Sequence, residues 1–482
     1  MRAVPSQNSE ERELGFLSFF VASESSVQDE ATMSRLCESS ADRISHLPYD
    51  VMQRILSFLP VNDAARTATL SKQWRHNWRA NTQLVFDGDF GEISKEGSYD
   101  SNAIKLMFQI CKALMVHDGP ITKFVLEIPG LRRPSPDINH IVHFLAKKGV
   151  QELALIFSDD GIDDGNPMIE REMPSALFSA GQLSSLILRD CDFSVAPSWF
   201  LGFSKLTHLE LANVNVESSF YSDFLPICPL LQDLKLFICD SHVEFHLKAE
   251  LVAPSLKVFE SNVWNVCFKH TPLLSVVSIS PVNDPEDCEQ SGFHVYNPDI
   301  AAVLGSLPAI QELVVGLELL LFFASGNVPC ILPTHLHHLK VLELHYILLH
   351  RISEARVLLC LITSSPNLQR LLILSGVDDT LPEKEVIDSL QLLLLGAEDH
   401  STASCFRCLQ ELSLKEVLGT RVELDLLRFV LATAPLLRRI FIRPAGKLDT
   451  SKSHKFLKEM TQYKRASKEA EIIYFWNDEA DT

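Results

Sequence analysis

A spaced pattern of apolar residues, L-x-x-L-x-L, recurs through most of this 482-residue chain and constrains its fold more than any other feature. Successive copies begin roughly 18 to 41 residues apart, which is the irregular spacing of a stacked-repeat protein. Proline precedes several copies, as in CPLLQDL, APSLKVF, TPLLSVV, SPNLQRL and APLLRRI. The first residues of the copies are Ile121, Val150, Leu183, Leu206, Leu231, Leu274, Ile310, Leu339, Leu368, Leu409 and Leu437, with a weaker copy at Leu256/Phe259.

Each copy predicts a short parallel strand whose apolar residues point into the core, followed by a return segment that is a loop or a helix. A single unit buries too little surface to fold alone, so the stacked copies must share one continuous core. Unrelated strands of an ordinary α/β domain would not keep this spacing together with a preceding proline so many times. The predicted fold class is therefore α/β, an irregular leucine-rich-repeat solenoid of parallel strands with helix or loop returns.

Composition excludes several classes of protein. The formal charge of −19 disfavours a nucleic-acid binder, which needs a basic face. No apolar run reaches the ~18–20 residues of a membrane span, and the apolar segment 15–22 follows acidic residues rather than the basic leader of a signal peptide. Cysteines such as Cys360 lie in apolar runs, as small buried hydrophobes do in a reducing compartment. We expect an intracellular protein, nuclear or cytoplasmic or both, that binds neither nucleic acid nor membrane.

Three short helices are predicted between residues 42 and 79, after a Ser- and Glu-rich leader over 1–41 that predicts disorder. Whether residues 1–32 belong to the functional protein stays open. Ser45 is suited to cap the first helix, and Pro60 ends that helix. Asn62 or Asp63 is suited to cap the second helix. Ser71 is expected to cap a third helix that places Trp74 and Trp78 one turn apart. So small a module rarely covers its own apolar surface, which indicates a partner.

Residues 42–79 resemble an F-box of the plant type, through LPYDVMQRILSFLPVNDAARTATLSKQWRHNW. The stretches LQELSLKEVLGTRVELDLLRFVLATAPLLRRIFIRP and YKRASKEAEIIYF resemble the FBD module that often follows leucine-rich repeats. Taken in order, the parts resemble those of a plant F-box/FBD/LRR-repeat protein. The implied organisation is a leader at 1–41, a three-helix F-box at 42–80, a leucine-rich-repeat region at 81–408 and an FBD-like segment at 409–482 that continues the solenoid.

This resemblance implies a role in a Skp–cullin–F-box (SCF) ubiquitin ligase. The F-box would dock on the Skp adaptor, and through it on the cullin and RING subunits, while the repeats select an unknown target protein. By the family's pattern, the adaptor contacts fall on Leu47, Pro48, Val51, Ile55, Leu59, Pro60, Leu70 and Trp74. An alternative interpretation makes Val51, Ile55 and Leu59 the core of the module itself. The resemblance also leaves open a second function, a leucine-rich protein-binding scaffold with a degenerate F-box that recruits no ligase.

No catalytic, metal-binding or cofactor motif stands out. Cys405 and Cys408 form a single C-x-x-C pair, and the histidines at 335, 337, 338, 242 and 246 lack the spacing of a zinc site. The acidic run 159–166 lacks the spacing of a calcium loop. G-x-S-x-G, P-loop, G-x-G-x-x-G and H-E-x-x-H sequences do not occur. We therefore expect a protein that is not an enzyme and that uses no metal or cofactor.

Residues between the inward-facing leucines are expected to face outward, on the concave side of the solenoid. Their charges and apolar groups are typical of a protein-binding surface, although ordinary solvated strand faces would look the same. A cluster of basic residues from 438 to 468 is either an anion or partner patch or the exposed face of a terminal helix. The candidate target-binding residues are Arg189, Glu210, Lys235, Phe237, Glu343, His345 and Leu372.

Overall fold

The computed structural model of the chain describes residues 44, 46–87, 99–129, 136–158, 173–193, 196–216, 220–238, 249–263, 266–280, 299–376, 406–446 and 450–475. They fall into two compact units, Met1–Met52 and Gln53–Thr482. Several predictions lie outside the described residues: the leader at 1–41, the cap at Ser45, the acidic run 159–166, His242, His246 and Cys405.

The three predicted helices of the N-terminal module are present as α1 (Tyr49–Leu56), α2 (Val61–Arg66) and α3 (Lys72–Arg79). The third begins as predicted, because the Ser71 hydroxyl accepts a hydrogen bond from the Trp74 amide at 3.4 Å. The prediction for the second was wrong. Pro60 is its N-cap and no side chain caps it, because Asn62 and Asp63 lie inside the first helical turn, beyond the capping position.

Fifteen of the strands in the described residues form one parallel sheet, which confirms the predicted solenoid. Its order is β1-β2-β3-β4-β6-β7-β9-β11-β12-β13-β14-β15-β16-β17, with β5 pairing to β6, and β8 and β10 form a separate parallel pair. The strands are β1 Gln83–Phe86, β2 Lys123–Pro129, β3 Glu152–Ser158, β4 Ser185–Arg189, β5 Asp192–Phe193, β6 His208–Val216, β7 Asp233–Ile238, β8 Ala249–Val252, β9 Val258–Ser261, β10 Val266–Lys269, β11 Val276–Ile279, β12 Glu312–Val315, β13 Val341–Ile347, β14 Arg370–Ser375, β15 Glu411–Val417, β16 Arg439–Pro444 and β17 Glu471–Tyr474.

Helices and loops return the chain between strands, also as predicted. Short 3₁₀ turns serve the same purpose at Ser175–Ser179 and Leu225–Ile227. Copies without a helix therefore return by a tighter path, which accounts for the irregular spacing. The described return helices are α4 Tyr99–Met115, α5 Pro136–Lys148, α6 Ile300–Gly305, α7 Leu317–Ser325, α8 Ile352–Thr363, α9 Arg421–Thr433 and α10 Thr450–Met460.

The core consists of the apolar residues of the repeated pattern. The three apolar residues of each L-x-x-L-x-L copy are at most 4% exposed, and so are Leu256 and Phe259 of the weaker copy. Near the end of β6, β13 and β15 the strand bulges at a left-handed residue, Asn213, Tyr346 and Glu416 respectively, and Asp190 directly after β4 is also left-handed. Each left-handed residue turns the next residue inward, so that Cys191, Val214, Ile347 and Val417 extend the core.

Candidate functional site

The surface of the N-terminal module carries exposed apolar side chains. Val51 and Ile55 are 43% and 38% exposed, whereas Met52 and Leu56 on the same helix are fully buried. The interpretation in which Val51 and Ile55 form the core of the module was therefore wrong. Leu59 is half-buried, so part of its side chain packs inside the protein and part stays accessible to an adaptor.

The remaining predicted adaptor residues differ in their exposure. Pro48 is exposed, Leu47 and Pro60 are half-buried, and Leu70 is 53% exposed. Trp74 is only 2% exposed, so its side chain belongs to the interior of the chain described here. Sequence reasoning missed Phe58, which is 74% exposed, because it falls outside the four-residue period of Val51 and Ile55.

A polar seam joins the end of this module to the first strand. Asn81 donates from Nδ2 to the Leu56 carbonyl at 3.2 Å and accepts at Oδ1 from the Gln83 amide. His117 Nε2 lies 2.7 Å from the Asn81 carbonyl oxygen, and burial lowers the pKa of this histidine. Arg79 donates from Nε to the Val116 carbonyl at 2.9 Å. Trp78 is also buried, and its carbonyl accepts a hydrogen bond from the Asn81 amide.

The outward face of the sheet brings together four of the predicted target-binding residues. Arg189, Glu210 and Lys235 lie on β4, β6 and β7, which are adjacent in the sheet. Arg189 donates from Nε to Glu210 at 3.0 Å, and the Lys235 ammonium lies 3.0 Å from Glu260 on β9. The hydrogen bond that the Lys235 ammonium donates to the Glu260 carboxylate raises the pKa of Lys235. Phe237, further along β7, is half-buried. The charged residues of this group are thus paired with oppositely charged residues on neighbouring strands.

The other three predicted residues lie further along the sheet. Glu343 on β13 is in register with Leu372 on β14, and His345 follows it on the same face. The Glu343 carboxylate lies 3.4 Å from His345 Nε2. This hydrogen bond and the charges of Lys415 and Arg370 lower the pKa of Glu343. The seven residues therefore form two groups, separated in the sheet by β9, β11 and β12.

Some of the residues considered for chemistry lie among the described residues. Over the part of the chain that the structure describes, no three His, Cys, Asp or Glu side chains are placed to hold a metal ion. Cys360 is buried in α8, and burial raises the pKa of its thiol to about 11, so it behaves as the small hydrophobe predicted for it. None of the described helices combines the length and hydrophobicity needed to cross a bilayer.

Comparison with known proteins places these parts in a family. Residues 44–81 match the F-box domain, and residues 138–377 match the LRR repeats of the FBD-associated F-box protein At5g56370. The chain is 30% identical over 440 residues to the F-box/FBD/LRR-repeat protein At1g13570 of Arabidopsis thaliana, covering 90% of this chain and 99% of that one. This chain belongs to the F-box/FBD/LRR-repeat family.

Further Arabidopsis thaliana relatives share parts of this F-box/FBD/LRR-repeat chain. The F-box/FBD/LRR-repeat protein At3g52680 is 28% identical over 305 residues, 60% of this chain and 63% of that one. F-box/LRR-repeat protein 25 is 26% identical over 251 residues, 51% of this chain and 85% of that one. The order of an F-box followed by leucine-rich repeats is thus confirmed, while the exact boundaries proposed at residues 80 and 408 stay predictions.

Two strands of this family member carry weakened copies of the repeat that the sequence search missed. Before β1, Asn81 occupies the place of the first leucine, followed by Leu84 and Phe86 at the expected spacing. In β17, Ile472 and Tyr474 are only half-buried because this is the last described strand of the sheet. Relaxing the first position of the pattern to a polar residue finds both strands, because Glu469 occupies that position before β17.

Proposed function

We propose that this protein is the non-catalytic substrate receptor of an SCF ubiquitin ligase. Its F-box docks on a Skp adaptor, and through it on cullin and RING subunits, while the outward face of the repeat sheet binds a target protein. F-box domains generally bind Skp1-type adaptors. The receptor brings a target lysine near a ubiquitin-loaded enzyme, which raises its effective concentration without any chemistry by the receptor.

One observation carries this proposal: the segment that matches an F-box keeps apolar side chains in solvent. Ile55, Phe58 and Leu70 are all more than a third exposed, although each is large enough to gain from burial. Burying one such side chain contributes about 1.5–3 kcal/mol. Exposed apolar groups of this kind mark surfaces for a protein partner, and helix packing against an adaptor buries them. A degenerate F-box would have no reason to keep them.

Co-expression with a plant Skp adaptor tests the proposal. We expect the full chain to co-purify with the adaptor, and the variants Leu47→Ala/Pro48→Ala and Ile55→Ala/Leu70→Ala to lose it at matched expression. A Leu201→Ala variant serves as the control, because Leu201 is an apolar residue that is even more exposed, at 91%, but lies outside the F-box. Trp74→Ala is unsuitable here, since loss of a buried tryptophan would unfold the module rather than remove a contact.

The opposite result supports the second candidate function. If the folded wild-type chain binds no adaptor isoform, or if both F-box variants bind as well as Leu201→Ala does, then the protein is a leucine-rich binding scaffold. The repeat face would then bind its partner without leading to ubiquitination. Circular dichroism of each variant separates loss of binding from loss of fold.

A further inference from the structure

The outward face of the sheet is aliphatic over its first strands. The side chains involved, which we call the aliphatic strip, are Val85, Val125, Ala154, Ile156 and Ile187. They come from β1, β2, β3 and β4, which are successive neighbours in the sheet. Along each strand they alternate with buried core residues, which places them on the side away from the core.

Most of the aliphatic strip forms one row across the strands. The row consists, strand by strand, of Val85, Val125, Ala154 and Ile187. On the next two strands the same row holds charges instead, Glu210 on β6 and Lys235 on β7. Adjacent strands lie ~4.8 Å apart, so the row offers a partner continuous aliphatic carbon over about 14 Å. Ala154 has a shorter side chain than its neighbours in the row, which leaves a dip for a large aliphatic group.

Two carboxylates border the aliphatic strip at its β1 end. Glu127 lies two residues after Val125 on β2, and Asp87 holds the corresponding place directly after β1. Within the part of the chain that the structure describes, neither carboxylate forms an ion pair. Like charges on neighbouring strands disfavour each other, and a cation supplied by a partner would relieve that repulsion.

The cations that the described residues place on the outward side of these strands already have acceptors. The Lys123 ammonium lies 3.1 Å from the Glu152 carboxylate, and Arg189 donates to Glu210 at 3.0 Å. The aliphatic strip is therefore bordered by negative charge that its own neighbours do not neutralise. Such a surface distinguishes a segment that is both apolar and basic from a segment with only one of these features.

We propose that the aliphatic strip binds an extended segment of a partner protein in which large aliphatic residues alternate with Lys or Arg. The aliphatic side chains face the strip and pack on Val125, Ala154 and Ile187. The long side chains of Lys or Arg reach from the intervening positions to Asp87 and Glu127. The formal charge of −19 favours the encounter with such a basic segment. The inference deepens the proposed function, on which it rests for calling this partner the ligase target.

Peptide binding to the full chain tests the inference, measured by fluorescence anisotropy at physiological salt. The probe is a short fluorescein-labelled peptide of alternating Leu and Lys, compared with matched peptides of Ser and Lys and of Leu and Glu. We expect the Leu and Lys peptide to bind most tightly and its binding to weaken as salt is added. Glu127→Lys should weaken it by about tenfold, because the new ammonium repels the peptide and pairs with Asp87.

Matched variants on a distant strand make the test specific. Glu312 and Val314 lie on the outward side of β12, half-buried like Glu127 and Ile187, and Glu312 forms no ion pair within the described residues. Glu312→Lys should leave affinity within about twofold, because β12 is several strands from the aliphatic strip, farther than the Debye length of ~8 Å. Ile187→Thr should weaken binding of the Leu and Lys peptide but not of the Ser and Lys peptide, whereas Val314→Thr should affect neither. Circular dichroism should show the same fold in all four variants, since each position faces outward.

The inference is overturned if the Leu and Lys peptide fails to bind, if Glu312→Lys weakens it as much as Glu127→Lys does, or if the Ser and Lys peptide binds equally well. It is also overturned if sedimentation shows a dimer that Glu127→Lys dissociates, since the aliphatic strip would then join two copies of this chain. Adaptor co-purification is measured separately on the same variants. Peptide binding without adaptor binding would contradict the ligase function alone, and adaptor binding without peptide binding would contradict this inference alone.

Discussion

The two ends of the repeat sheet use similar residues in opposite ways. At the β1 end, Trp74, Asn81 and His117 are buried and joined to their neighbours by packing or hydrogen bonds. At the β17 end, Arg443 and Phe475 are only half-buried, as are most residues of the last described strand. Aromatic and polar groups thus support the fold at the first end and are presented to solvent at the second.

This difference teaches where a substitution should affect stability and where it should affect only binding. Removing a buried group leaves a cavity or an unpaired polar atom, and both destabilise the folded state. Removing an exposed group costs little, because water replaces the lost contact. Stability measurements can therefore distinguish the two ends without knowledge of any partner.

The largest effect is expected at Trp74. Trp74→Ala should lower the free energy of unfolding by about 3–5 kcal/mol, because the whole buried indole leaves a cavity. Leu70→Ala, on the same module but largely exposed, should cost less than about 1 kcal/mol. Urea denaturation followed by circular dichroism measures both. Equal losses for the two variants would break the distinction between interior and surface in the F-box.

Asn81→Leu should destabilise the protein although it restores the apolar repeat pattern. The leucine side chain cannot bond the Leu56 carbonyl or the Gln83 amide, and a buried group left without a partner costs about 1–3 kcal/mol. Gln83→Leu is the matched control, because only the backbone of Gln83 takes part in the seam. A stabilised Asn81→Leu protein would show that the seam is unimportant.

The pH dependence of stability should reveal His117. Burial lowers its pKa, so the folded state holds the neutral ring while the unfolded chain takes up a proton near the ordinary value of 6.5. The stabilising contribution is therefore complete above that pH and is lost as the pH falls below it. We expect thermal unfolding between pH 7.5 and 5.5 to depend less on pH in His117→Gln. If the pH dependence of thermal unfolding is the same in His117→Gln as in the wild type, then groups other than His117 cause it.

The smallest effect is expected at the other end of the sheet. Arg443→Gln should change the free energy of unfolding by at most about 1 kcal/mol, since Arg443 is only half-buried on the outward face of the sheet. Differential scanning calorimetry compares it with Lys257→Gln. A loss as large as that of Asn81→Leu would mean that Arg443 supports the fold, and the contrast between the ends would disappear.

The sequence predicts most of this fold because the strand signal is local and repeated. The apolar triplets are buried in every copy, and the Ser71 cap needs only the three residues after it. By contrast, β1 was missed because Asn81 replaces an apolar residue for the sake of a hydrogen bond to Leu56, 25 residues earlier. Contacts of that range depend on how elements pack, which no local spacing encodes.

The candidate site was less predictable for the same reason. Which residues face outward follows from the strand period, but Arg189 and Glu210 pair across 21 residues only because two copies stack in a particular register. The burial of Trp74 likewise depends on how the helices pack against one another. The strand period alone therefore identifies the candidate residues, but it does not show which of them are already paired or buried by neighbouring residues.

Hydrogen–deuterium exchange of the full chain, with and without a Skp adaptor, tests the central claim most directly. The account predicts new protection in the described F-box residues 46–80 and unchanged exchange in β14–β17, at the end of the sheet farthest from β1. Protection of β14–β17 by the adaptor, or exchange in the F-box that the adaptor leaves unchanged, would contradict it.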